Sequence, residues 1–141
     1  MNVSSLLEGL FKRRAALVRA AVTNETRGTV LASEAEVAGD AGSRRRGLLK
    51  HKGLQPGQGL WIVPCSAVHS FGMRFDIDLV YLDRKHRVRK VQSVWRPGRM
   101  SMCLGAHSVL ELPSGTVERT ATRTNDQLAI VLSNTGTAVL P

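Results

Sequence analysis

Short segments of alternating apolar and polar residues, cut at close intervals by Gly, Pro and Asn, limit what this 141-residue chain can become. After residue 28, Leu31, Ala35 and Val37 share one strand face and Glu34 and Glu36 the other. Residues 60–63 read as a buried strand ended by Pro64, and Ile77, Leu79 and Tyr81 then alternate with Asp78, Val80 and Leu82. Residues 83–86 form a hairpin connection. The return strand carries Val88, Val91 and Val94 and stops at Arg96-Pro97-Gly98-Arg99, where Pro and Gly impose a turn. Residues 108–112, 116–120 and 127–132 supply further strands, separated by Pro113-Ser114-Gly115 and Thr124-Asn125-Asp126. Roughly seven short strands with turn signals every 8–12 residues or so predict a small antiparallel sandwich or barrel.

Two helical segments are expected beside the strands. Leu7, Leu10, Phe11, Leu17, Val18 and Ala21 recur at helical spacing behind Ser4 or Ser5, which predicts an N-terminal amphipathic helix within residues 1–24. Ser43 caps a short helix starting at Arg44-Arg45-Arg46, which Gly53 and Pro56-Gly57 stop. The expected organisation is this N-terminal helix, a single β domain over residues 25–133, and a tail over 134–141. With 43% hydrophobic residues the chain can bury a core, and it contains no run of about 18 apolar residues able to span a bilayer.

Charge is distributed unevenly. Of 20 Lys and Arg and 11 Asp and Glu, residues 44–99 hold 13 basic and 3 acidic, so the whole excess of +9 belongs to that central segment. An anionic partner is the expectation. Nucleic acid is one such partner, but aromatic residues make up only 4% and there is no RNP, zinc-finger or helix-turn-helix pattern. Two cysteines without CxxC spacing suggest reduced thiols, and the N-terminus lacks the charge order of a secretory signal, so a cytoplasmic location and no membrane association are expected. Oligomeric state is not legible.

The motifs Arg46-Gly47-Leu48-Leu49, Gly59-Leu60-Trp61-Ile62-Val63-Pro64-Cys65, Val68-His69-Ser70-Phe71-Gly72-Met73, Ile77-Asp78 and Val109-Leu110-Glu111-Leu112-Pro113-Ser114-Gly115 occur in that order. Over roughly residues 29–132 they resemble domain-of-unknown-function family 192, which is bacterial and archaeal. The resemblance implies a compact, mainly β domain with a short helix after the first strand, and it specifies no biochemical activity. His51 stands where the family usually has Arg, and Asp76 where it usually has Pro; Lys50 and Lys52 flank the first departure.

Three local constellations could carry chemistry. Arg45 and Arg46, with backbone amides at the start of their short helix, would favour a phosphate or carboxylate, and His69 and Asp78 complete the expected ligand-binding set. Cys65 with His69 is the nucleophile and base of an enzyme alternative, although no orienting third group or oxyanion hole is visible. Cys65, His69 and Met73, at spacings of four, form the soft donor set of a copper-binding alternative. Asp76 and Asp78 share a strand face that the alternation places away from the core, outside or in a groove. The resulting expectation is non-catalytic binding of an anionic small molecule or partner by a basic surface. No sequence motif specifies a cofactor, and no Gly-rich phosphate loop supports a nucleotide.

Overall fold

Alternation and turn chemistry translate into strands β1 (Val18–Asn24), β2 (Thr29–Ala38), β3 (Gln58–Ile62), β4 (Ala67–His69), β5 (Ile77–Leu82), β6 (Val88–Trp95), β7 (Met100–Met102), β8 (Ser108–Pro113) and β9 (Leu128–Asn134). One short helix, α1 (Thr116–Thr120), stands between β8 and β9. These elements come from a computed structural model that describes residues 18–39 and 53–134. Seven strands form one mixed sheet in the order β6-β5-β8-β3-β2-β1-β9, and β4 and β7 form a separate two-stranded sheet. The edge strands of the large sheet meet at one end. There Arg87 bridges Gln127, and the Val88 and Leu128 amides donate to the carbonyls of Asp126 and His86 at 2.8 and 3.0 Å. The sheet thus curls without closing into a barrel.

Strand β5 reads as an alternating strand, yet all six of its residues are buried. Period two therefore divides it between two cores. Val80 and Leu82 point to the concave side with Leu31, Ala35, Trp61, Leu110 and Leu128, and α1 inserts Val117 into that core. Ile77, Leu79 and Tyr81 face the other side with Leu60, Ile62, Val109 and Trp95, where Val68 of β4 and Met73 cover them. Close strand approach is part of this packing: a Cβ on Gly59 would lie 2.9 Å from the Glu111 carbonyl oxygen.

Four expectations need correction. Val18 and Ala21, read as the end of an N-terminal helix, belong to β1, whose alternately buried Ala20, Val22 and Asn24 lie between β2 and β9. A short apolar run fits either period, and pairing on both sides decided for the strand; residues 1–17 lie outside the described residues, as does the expected helix at 43–52. Residues 116–120, expected as a strand from their β-branched content, form α1. Gly115 enters it at φ 95°, and Thr116 and Thr120 turn their hydroxyls onto the carbonyls of Pro113 and Thr116 at 2.6 and 2.7 Å. The sheet is not wholly antiparallel, because β2 and β3 run parallel, and it is neither a closed barrel nor a simple sandwich. Asp78, expected on an outer face, is fully buried.

Where the edges of the sheet meet, a buried carboxylate ties the β1–β2 turn to the loop before β9. Asp126 accepts from Asn24 Nδ2 and the Arg123 amide at 2.9 Å each, and from Arg27 Nε and Nη2 at 3.1 Å each. Burial alone would raise its pKa. Hydrogen bonds from Arg27, Asn24 and the Arg123 N–H, together with the Arg27 charge, outweigh burial and hold it below the ordinary carboxylate value. A depressed folded-state pKa contributes stability that is present above the unfolded value of about 3.9 and is lost as pH falls through the folded one. Asp126→Ala is therefore expected to lower unfolding free energy near neutral pH by about 2 kcal/mol or more. In urea titrations the difference from the parent protein shrinks on acidification below about pH 3.9.

Candidate functional site

Arg45, Arg46 and His51 lie outside the described residues, so only part of the expected binding set can be placed. Asp78 points into the concave core, where its two oxygens accept from the Val94 amide of β6 at 2.9 Å and the Val117 amide of α1 at 2.8 Å. Its carboxylate fixes backbone. Val94 takes φ 52°, so this acceptor stabilises a conformation that β-branched residues rarely adopt. His69 lies on the opposite side of the fold, at the end of β4, with its ring stacked on Phe71 at 5.1 Å. His69 and Asp78 do not converge.

Within the Cys65–His69 spacing, read as a turn, Ser66 is a bend and residues 67–69 are strand β4. Cys65 precedes β4 and donates its Sγ–H to the Ala67 carbonyl at 3.2 Å. Met73 is buried in the second core, whereas His69 is exposed. No group of three His, Cys, Asp or Glu side chains suited to a metal occurs among the described residues. Cys65 and Cys103 are not joined by a disulfide.

What the structure does assemble is a thin outer layer. Strands β4 and β7 pair antiparallel with Ala67 opposite Met102, Val68 opposite Ser101 and His69 opposite Met100. Val68 and Ser101 point inward; the other four are exposed. Tyr81 donates to Ser101 Oγ at 3.0 Å, the Ser101 hydroxyl donates to Gln92 Oε1, and Lys90 Nζ donates to the Met102 carbonyl at 2.9 Å. These bonds latch β7 onto β5 and β6. At the far end, Ser70 Oγ donates to the Arg96 carbonyl at 2.7 Å and accepts from the Arg99 amide at 2.9 Å.

Beside this layer, an open depression of about 460 Å³ lies between the β5–β6 turn and the loop after β7. Asp83, Arg84 and Lys85 form one wall, and Gly105, Ala106 and His107 the other. Asp83 Oδ1 accepts from the Lys85 and Arg87 amides at 2.8 and 3.0 Å, which shapes the turn. The His107 amide donates to the Leu82 carbonyl at 2.8 Å, and its carbonyl accepts from the Cys65 amide at 2.8 Å. Ion pairs between described residues are Arg19–Glu36 and Arg27–Asp126, and neither involves the basic side chains between residues 74 and 99. The cations beside the depression have no intramolecular carboxylate bound to them among the described residues.

A family comparison matches this mixed sheet and its flanking layer. The profile of the domain-of-unknown-function family 192, described as "Uncharacterized ACR", covers residues 22–130. The chain belongs to this family. No curated protein matches the family member described here. Its fold is similar to that of a proposed transcription regulator from Sinorhizobium meliloti 1021, with TM-score 0.68, 19% identity, and 79% of this chain and 92% of that chain covered. It is also similar to a protein of unknown function from Novosphingobium aromaticivorans DSM 12444, with TM-score 0.67, 17% identity, and coverage of 79% and 83%.

Two features of this DUF192 chain escaped the sequence patterns. Residues 67–69 and 100–102 are too short to show clear periodicity, although Met100-Ser101-Met102 does alternate around a buried Ser. The depression joins residues about twenty positions apart, and only the basic run at 84–90 hinted at it.

Tyr81, the single tyrosine of the chain, reports on the latch. Burial pushes its hydroxyl pKa up, the Ser101 hydrogen bond works against that, and negative charge on Cys65, Cys103 and Glu111 adds to the rise. Absorbance titration of the folded protein is expected to show ionisation above the free-tyrosine value of about 10. Stability is then fully present below that value and lost as pH rises through the folded pKa. Asp78→Ala would leave the Val94 and Val117 amides without their acceptor. Its expected effect in denaturant titration is a loss of about 2–4 kcal/mol across the two bonds.

Proposed function

We infer that this domain is a non-catalytic binding module that takes an anionic ligand or partner at the depression between the Asp83–Lys85 turn and the Gly105–His107 loop. The observation that carries this reading is the meeting of Arg84, Lys85 and His107 in one concavity, with no ion pair engaging either cation among the described residues. Arg84 offers planar, forked donors suited to a carboxylate or phosphate, and Lys85 offers a flexible point charge. Asp83 reduces the positive potential less than its formal charge implies, because one of its oxygens already accepts two amides. Arg89 adds charge nearby: its Nη2 lies 3.7 Å from where a Gly105 Cβ would stand. Surface cations lose long-range attraction in salt, so binding is expected to weaken as ionic strength rises.

The enzyme alternative finds less support, since the exposed His69 ring stacks on Phe71 while the Cys65 Sγ–H is donated to the Ala67 carbonyl. For the copper alternative, Met73 is buried in the second core with Cys65 packed against that core, whereas His69 is exposed. Duplex nucleic acid shares the anionic chemistry, and the low aromatic content disfavours single-strand stacking.

Titration with inorganic phosphate and with citrate, followed by amide shifts in ¹H–¹⁵N spectra, tests the proposal. Saturable shifts are expected at Arg84, Lys85, Gly105 and His107. The Arg84→Ala/Lys85→Ala variant should weaken binding about tenfold or more, the effect of losing roughly 1.4 kcal/mol of charge-assisted contact. Absence of saturable shifts at those amides, or an unchanged affinity in the double variant, would overturn it.

A further inference from the structure

The outer face of the β4–β7 layer is unusual for a soluble surface. Met100 is 76% exposed, Met102 59%, Leu104 84% and Phe71 50%. Methionine is ordinarily a core residue, and single exposed apolar residues need no explanation; a contiguous row does. Continuity here follows from the register. His69 lies opposite Met100 and its ring stacks on Phe71, Met102 follows two positions along the same face of β7, and Leu104 occupies the turn beyond. From Met100 to Met102 the row runs roughly 7 Å at strand rise, and Leu104 continues it on the turn.

Basic residues stand at both ends and along one side. Arg99 immediately precedes Met100, and the Ser70 hydroxyl holds the Arg96–Arg99 turn beside Phe71. Lys90 donates to the Met102 carbonyl, and past Leu104 the strip runs into Gly105, which forms a wall of the cationic depression. The apolar row and the anion site are thus one continuous surface. Flexible thioethers are suited to accommodating varied apolar side chains, as methionine-lined recognition surfaces do.

We propose that this surface docks an acidic peptide segment of a partner protein, whose apolar side chains lie along Phe71, Met100, Met102 and Leu104 while its carboxylates reach Lys90, Arg99 and the depression. The proposal rests on the anion-binding reading and specifies its ligand. Charge complementarity selects an acidic occupant over a second copy of this strongly basic chain. A row of four exposed side chains, Phe71, Met100, Met102 and Leu104, fits a short peptide rather than an extended lipid surface.

The test is selection of random peptides of about 15 residues, displayed on phage, against the full chain at low salt. Enriched sequences are synthesised and their affinity measured by fluorescence anisotropy. They are expected to combine Asp or Glu with Leu, Phe or Met, to bind roughly tenfold more weakly to Met100→Ser/Met102→Ser, and to regain affinity with Met100→Leu/Met102→Leu. Both methionines are exposed, so both variants are expected to fold; circular dichroism checks this. The proposal is overturned by no enrichment, by acidic peptides without apolar residues, or by affinity indifferent to the Ser pair. Methionine-dependent binding to phosphatidylcholine–phosphatidylserine vesicles, or methionine-dependent self-association in sedimentation, also overturns it by naming another occupant. Failure here with intact phosphate shifts at Arg84 and Lys85 leaves the anion reading standing. Loss of those shifts alongside methionine-dependent peptide binding would sink that reading instead.

Discussion

Complete burial of β5 imposes conditions on everything around it. A strand flanked by β6 and β8 satisfies its backbone within the sheet, but side chains on both of its faces then require cover. On the concave side, the curl of the large sheet and the inserted α1 provide it. On the other side the β4–β7 layer does, and Tyr81 links the two through Ser101 and Gln92. Asp78 is the polar exception within β5. Its cost of burial is offset by accepting from two backbone amides, one on β6 and one on α1, so that a charged residue in the core becomes the joint between the sheet edge and the helix.

This division of labour explains where a binding surface can arise. The concave core is built of packed apolar side chains, and the carboxylates of Asp78 and Asp126 are committed to backbone, Asn24 or Arg27. The β4–β7 layer is only one strand-layer thick beyond the second core, so its inward residues, Val68 and Ser101, pack while the alternate residues face solvent. Surface chemistry concentrates there because the loops that deliver β4 and β7 also deliver Arg96, Arg99 and the Gly105–His107 wall. Loops on a rigid scaffold are a common place for recognition. The belonging of this chain to an uncharacterised family, and its likeness at under 20% identity to two bacterial structures, speak to the scaffold and leave the surface to be judged on its own residues.

Amino-acid order alone determined the mainly β class, the turns at 83–86, 96–99 and 113–115, the alternation of β5, and the concentration of positive charge in the centre of the chain. These are local properties: period two, Pro and Gly geometry, and formal charge are carried by neighbouring residues. Tertiary structure decided what local patterns leave degenerate. Val18 to Ala21 fit helix and strand alike until pairing with β2 and β9 chose; Thr116 to Thr120 favoured a strand until insertion beside Asp78 rewarded a helix. Alternation told that Asp78 and Tyr81 face opposite ways but not that both ways are inside. Nor could it bring Arg84 beside His107, or line Met100 up with Phe71, because those meetings depend on contacts between distant segments, whose cost in chain entropy is met only when the whole sheet forms.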